Sequence, residues 1–221
     1  ILSYRITDNI WGSFAFPFYL QELQYTGDEV AFASKIFGVF MTMAGIAIGA
    51  FLFATVGRMP TLLIGAIVAA ASNLLYADLA AGAANIDAFA RLFALDAFGQ
   101  DLRMVRLLIA ISGENIAGGL AGAAFVAYLS SITSREFSAV QYALLSSLTF
   151  LIGSLGRAAI GEAIDNIGYA PVFRFTAAMG LIAVAFVVLE WMRVAWKERR
   201  VAAAGLVPAS DAARAVEGDT A

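Results

Sequence analysis

Glu114 and Asp8 are two carboxylates set in apolar stretches, and they are the first residues here able to handle a proton. Glu114 lies in "ISGENIAGGLAGAAFVAYLS", residues 111–130, next to Asn115 and ahead of closely spaced glycine and alanine. The 221 residues include no histidine and no cysteine. Proton chemistry near neutral pH therefore falls to carboxylates, or to a lysine, whose surroundings bring their titration into range. The same absence removes zinc-binding histidine pairs, a Ser-His dyad and thiolate metal sites. "GSLG" at Gly153 to Gly156 is similar to an intramembrane serine-protease turn, but the partner base is missing. No glycine-rich phosphate loop with a following lysine occurs. The chain is expected not to be an enzyme, and to use no cofactor and no metal.

Why these charges sit among apolar residues follows from composition. Hydrophobic residues make up 61% of the chain and charged ones 14%, against about 45–50% and about 25% in an ordinary globular domain. A membrane helix needs about 20 apolar residues, and six segments meet that description. They cover residues 1–20, 28–56, 60–79, 104–132, 138–160 and 171–192. The expected class is an all-α membrane protein, with a six-helix bundle over residues 1–196 and a disordered cytoplasmic tail over 197–221. The net charge of −3 carries no basic patch, so no nucleic-acid partner is expected. The expected partners are the lipid bilayer and a small-molecule substrate. The chain starts at Ile1, and Arg5 and Asp8 do not suit a signal peptide; the start reads as a cut within a longer protein.

Basic residues suggest the orientation. Arg193, Lys197, Arg199 and Arg200 follow the sixth segment, which places that end in the cytoplasm. Arg91, Arg103 and Arg106 dissent, because they then fall on the external side. Between segments three and four, Ile86, Phe89, Phe93 and Ala97 recur at helical spacing, as in a short amphipathic helix on the membrane surface; a partly ordered loop is the alternative. "GRMP" (Gly57 to Pro60) joins segments two and three, and "GYAP" (Gly168 to Pro171) joins five and six. Gly and Pro suit helix ends and starts. These turns lie three helices apart, as a 3+3 inverted repeat requires.

Helical spacing sorts the polar residues onto faces. Tyr4, Asp8 and Trp11 share one face, with Arg5 within pairing reach of Asp8. Lys35 heads a face with Gly38, Thr42, Gly45 and Gly49. Glu114 shares a face with Gly118, Ala121, Gly122 and Phe125. Tyr142, Ser146, Thr149, Gly153 and Arg157 align on the fifth segment. Segments three and six read as apolar scaffold. Small residues allow close helix approach, and a charge on such a face meets a partner helix or a hydrated cavity. Each has a structural alternative. Glu114 could bridge helices, Asp8 could only neutralise Arg5, and Lys35 and Arg157 could snorkel. Trp11, Tyr128, Trp191 and Trp196 could anchor at the interface.

The run "ENIAGGLAGAAFVAYLSSITSREFSAVQYALLSSL" resembles the AmpG-type muropeptide permeases of the major facilitator superfamily. "YRITD" (Tyr4 to Asp8), "SKIFG" (Ser34 to Gly38) and "SNLLY" (Ser72 to Tyr76) are similar to motifs of that family's seventh, eighth and ninth helices, in the same order. The sequence departs from the family at Ala121, Gly122 and Val140, where the family has Gly, Thr and Thr. The resemblance implies helices seven to twelve of a twelve-helix transporter, the C-terminal half of the fold, with an N-terminal six-helix half as partner. It also implies proton-coupled import of anhydro-muropeptides across the bacterial inner membrane. Siderophores, acetyl-CoA, drug export, or a non-transporting six-helix module are the alternatives. Desolvation favours a neutral carboxylic acid and a nearby cation favours the carboxylate. Glu114 has no cation close in sequence and Asp8 has Arg5, so Glu114 is preferred to Asp8 for proton coupling. Arg5, Trp11, Lys35, Asn115, Phe125, Gln141, Tyr142 and Arg157 are the candidates for substrate contact: cations for carboxylates, amides and hydroxyls for sugar or peptide, aromatic rings for a sugar face.

Overall fold

The computed structural model describes residue 12, residues 14–95, residues 101–132 and residues 138–203; a few side chains in the last helices, Tyr142 among them, lie outside that description. Arg5, Asp8 and Trp11, and with them most of the first expected segment, also lie outside it. Among the described residues every regular element is helical. A short α-helical turn at Ala15–Pro17 runs into a π-helical turn at Phe18–Glu22. Helix α1 then spans Gly27–Val56, with a π-helical stretch at Phe32–Phe37. Helices α2 (Arg58–Ala80), α3 (Ala84–Leu92), α4 (Leu102–Ile132), α5 (Ser138–Ile167) and α6 (Tyr169–Ala203) follow.

Local chemistry sets these boundaries. Thr26 and Glu29 form a reciprocal capping box: the Glu29 amide donates to Thr26 Oγ1 at 3.3 Å, and the Thr26 amide donates to the Glu29 carboxylate at 2.7 Å. This closes two of the donors a helix start leaves open. Gly57 (φ 89°) and Gly168 (φ 78°) take left-handed backbone between consecutive helices, a conformation open to glycine at little cost. Gly57 also accepts from the Thr61 hydroxyl at 2.7 Å, which ties the start of α2 to its own turn.

Among the described residues four helices are long and apolar enough to cross a membrane: α1, α2, α4 through Ser130, and α6 through Val201. The chain is therefore read as a multi-pass membrane protein. The fifth expected segment forms helix α5, which outruns its expected end at Ile160 and reaches Ile167. Helix α6 continues to Ala203, past the point where the sequence reads as tail. Between α2 and α4 a short helix does form, but it stops at Leu92, short of the expected stripe: α3 buries Ile86 and Ala90 and exposes Phe89 and Leu92, Phe93 lies just past its end and Ala97 lies outside the described residues. The expected scaffold role of the third segment needs correcting, because α2 carries a tyrosine that reaches Glu114.

The chain divides into two compact units, residues 1–184 and residues 185–221. In the first, α4 packs against both α1 and α2. The α1–α4 pair is close because glycines face backbone. A Cβ at Gly45 would overlap the Ile116 carbonyl, one at Gly119 would overlap the Thr42 carbonyl, and one at Gly49 would lie 3.2 Å from Leu120 O. Helices α2 and α6 run antiparallel. Tyr76 packs on Phe173 with ring centroids 5.6 Å apart, Thr176 Oγ1 lies 3.4 Å from Asn73 Oδ1, and Gly180 sits on Ala70. The turn at Gly168 consequently lies at the Asp78 end of α2, opposite Gly57. In the second unit, Arg193 pairs with Glu190 through two contacts of 2.7 Å, and Arg200 stacks over Trp196 at 3.6 Å.

Candidate functional site

Glu114 occurs 12 residues after the start of α4, about 18 Å along it at 1.5 Å per residue. That is near the middle of a helix of membrane length. Its carboxylate accepts a hydrogen bond from the Tyr76 hydroxyl of α2. The Tyr19 hydroxyl lies 2.7 Å from that of Tyr76. Because Tyr76 donates to Glu114, Tyr19 is the donor between the two tyrosines. Tyr76 is 1% exposed and Tyr19 is 2% exposed, while Glu114 is half-buried. A buried polar group needs partners, and this line of hydroxyls supplies them.

Aromatic packing holds the line in place. Phe18 packs at a tilt against Tyr169, with ring centroids 4.8 Å apart, and edge-on against Phe173 at 5.1 Å. The π-helical turn at Phe18–Glu22 orients both Phe18 and Tyr19 inward, where both are buried. Sequence reasoning missed Tyr76 and Tyr19 as partners of Glu114. The available signal was Tyr76 itself, which follows Ser72 and Asn73 on a helix of membrane length.

Asn115, the next residue, belongs to a different contact. Its Oδ1 lies 2.8 Å from Thr42 Oγ1, and its Nδ2 donates to Ile111 O at 2.9 Å. A Cβ at Gly38 would lie 3.2 Å from that nitrogen, so the missing side chain makes room for the amide. Asn115 is thus engaged between α4 and α1, about 100° around the helix from Glu114. Gly118 shares the Glu114 face and has open space in front of it.

The remaining candidates come from several elements. Lys35 is exposed, with Nζ 5.4 Å from the Phe16 ring centroid. Phe125 is 6% exposed and packed inside the helices. Gln141 and Arg157 are half-buried on α5. Tyr142 is on the same helix, its side chain outside the described residues, and Arg5, Asp8 and Trp11 are outside them altogether.

All three arginines that dissent from the basic-residue rule have local partners, Arg91 through its Nε, which donates to Asp87 O at 3.2 Å. Arg106 donates to both Asp87 oxygens, Nε at 2.7 Å and NH2 at 2.6 Å, clamping α3 to α4. That hydrogen bond holds the Asp87 carboxyl below its ordinary pKa. Arg103 donates to the carbonyls of Leu23 and Gln24 and lies 4.4 Å over the Tyr25 ring. Tyr25 returns a bond from its hydroxyl to Arg103 O at 2.7 Å, and burial pushes its pKa up. Asp78 caps α3 by accepting from the Asn85 amide at 3.0 Å and the Ile86 amide at 2.9 Å.

A buried acid–hydroxyl line between membrane helices suits proton handling or solute contact, and known proteins narrow the choice. No protein-family model matches the chain. The chain is 28% identical over 183 residues to "Putative transporter AmpG 4" of Rickettsia conorii, covering 83% of this chain and 40% of that protein. It is 31% identical over 176 residues to "Putative transporter AmpG 1" of Rickettsia prowazekii, covering 80% and 35%. It is 27% identical over 203 residues to the "Anhydromuropeptide permease" of Escherichia coli, covering 88% and 37%. The chain thus spans well under half the length of these relatives, all of which are named as transporters or a permease. Motifs, apolar helices and similarity along most of the chain agree: this chain is a relative of the AmpG-type permeases.

Proposed function

We propose that the chain is the C-terminal six-helix half, built as a 3+3 inverted repeat, of a major facilitator superfamily transporter. It works with a second six-helix half in the bacterial inner membrane. The cargo is an anhydro-muropeptide or a similar amphipathic solute, imported together with protons. Glu114 carries the coupled proton. The observation that carries this reading is the Glu114 carboxylate, placed mid-helix in a membrane-length α4 and contacted by the Tyr76 hydroxyl. Ionisable groups at such depth mark ion and substrate pathways, and substrate sites in these folds lie near the midplane. Lys35 and Arg157 are the candidates for contact with cargo carboxylates, and Gln141 and Tyr142 for contact with its amides and hydroxyls. Asp8, with Arg5 beside it in sequence, is the second carboxylate of the pathway, and Trp11 or Phe125 offers an aromatic face.

The test is uptake by the full-length protein with Glu114→Gln. Proton-driven accumulation should be lost while exchange of labelled muropeptide across the membrane persists. Unchanged accumulation would remove Glu114 from coupling. Labelled muropeptide set against a siderophore separates the cargo classes.

A further inference from the structure

A groove of about 350 Å³ runs along the outer side of α2 and α6, away from the Glu114 line. Alanines form its bed: Ala70 and Ala177 are buried, and Ala71 and Ala178 are exposed beside them. Leu74 and Leu181, 52% and 61% exposed, form its walls. One charged side chain lines it, Arg174.

The position of Arg174 gives the groove a chemical direction. It lies five residues after the start of α6, about 7.5 Å along the helix. Residues 175–189 that follow carry no charge. On α2, Leu74 precedes Asp78 by four residues, and Asp78 caps the surface helix α3. The cation is therefore near the polar edge of the membrane, and the apolar part of the groove extends inward from it. Arg174 is exposed, and its Nε donates to Ala170 O at 3.3 Å within its own helix. No acidic side chain pairs with it among the described residues.

We propose that this groove binds an anionic phospholipid, with the phosphate on the Arg174 guanidinium and one acyl chain along the alanine bed. An apolar trench that opens at a guanidinium complements a lipid with a negatively charged headgroup. Guanidinium matches phosphate in geometry and charge, and basic pockets between membrane helices hold anionic headgroups. The site is independent of the transport reading, since it needs only a chain that lies in a bilayer.

The experiment uses purified full-length protein, delipidated in detergent and then supplied with phosphatidylglycerol or with phosphatidylcholine of identical acyl chains. Retained lipid is counted by native mass spectrometry, alongside the unfolding temperature. Phosphatidylglycerol should be retained in preference and should raise the unfolding temperature more. Arg174→Gln should abolish the preference and Arg174→Lys should retain it. Ala71→Phe with Ala178→Leu fills the groove at exposed positions, and should reduce retention of both lipids while leaving the unliganded unfolding temperature unchanged. Equal retention of the two lipids by the wild type, or a preference that survives Arg174→Gln, overturns the proposal. So does a matching stabilisation by inorganic phosphate alone, which would assign the cation to a free anion.

Discussion

The Tyr76 hydroxyl sits between two partners, giving to Glu114 and receiving from Tyr19. Its removal takes an acceptor from Tyr19 and a donor from the Glu114 carboxylate, with the ring packing unchanged. Loss of a bond to a charged group costs about 1.5–3 kcal/mol, and a neutral bond about 0.5–1.5 kcal/mol. Tyr76→Phe should therefore destabilise the protein more than Tyr19→Phe does. Unfolding of the two variants in detergent checks the order, and equal effects would show that the hydroxyls do not act in line. Glu114 was legible in the sequence because an acid in an apolar run stands out. Its partner was not, because 38 residues separate Tyr76 from Glu114 and 57 separate Tyr19 from Tyr76. Only packing of the π-helical turn, α2 and α4 brings them together. Asn115, a candidate for substrate contact, follows Glu114 in sequence, but the helical turn directs its amide to Thr42 of α1.

At the scale of elements, glycine fixes how close helices come. The Gly45 and Gly119 contacts involve backbone carbonyls on the facing helix, which cannot rotate aside as a side chain can. Gly119→Ala should separate α1 from α4 and cost about 1–3 kcal/mol, as overpacking generally does. The same substitution at Gly118, which faces open space, should be tolerated; a comparison of folded yield and unfolding temperature decides it. The α3–α4 clamp depends on charge. Asp87 has its carboxyl pKa lowered by Arg106, so the pair stabilises fully above the ordinary aspartate pKa of about 3.9. That contribution falls away as the pH drops through the lower folded value. Amides of α3 should lose exchange protection under acid, and Asp87→Asn should show the loss already at neutral pH. Protection unchanged by the variant would mean that Asp78 capping and Ile86 burial hold α3 alone. The sequence made these elements readable where glycine and proline punctuate apolar runs, at Gly57 and Gly168. It hid the π-helical turns, since nothing in "FYLQE" or "FASKIF" distinguishes them from ordinary helix. It also made the arginines near α3 look like an orientation signal, because their acidic and carbonyl partners come from other elements.

For the whole molecule, the antiparallel pairing of α2 with α6 has a topological consequence. Tyr76 meets Phe173 and Ala70 meets Gly180, so the chain re-enters α6 at the far end of α2 from Gly57. An inverted repeat requires that, and it also requires α5 to cross the bilayer between the two turns. These 221 residues hold no cysteine, so single thiols introduced here can be read against the unsubstituted protein. Thr55 and Asn166, both exposed, each precede a turn glycine by two residues. In sealed vesicles of known orientation, an impermeant maleimide should label Thr55→Cys from one side and Asn166→Cys from the other. Labelling of both from the same side would mean that α5 lies along the membrane rather than through it. The six-helix half would then be wrong as an architecture, whatever the cargo, and the Glu114 line would have to work within fewer spans.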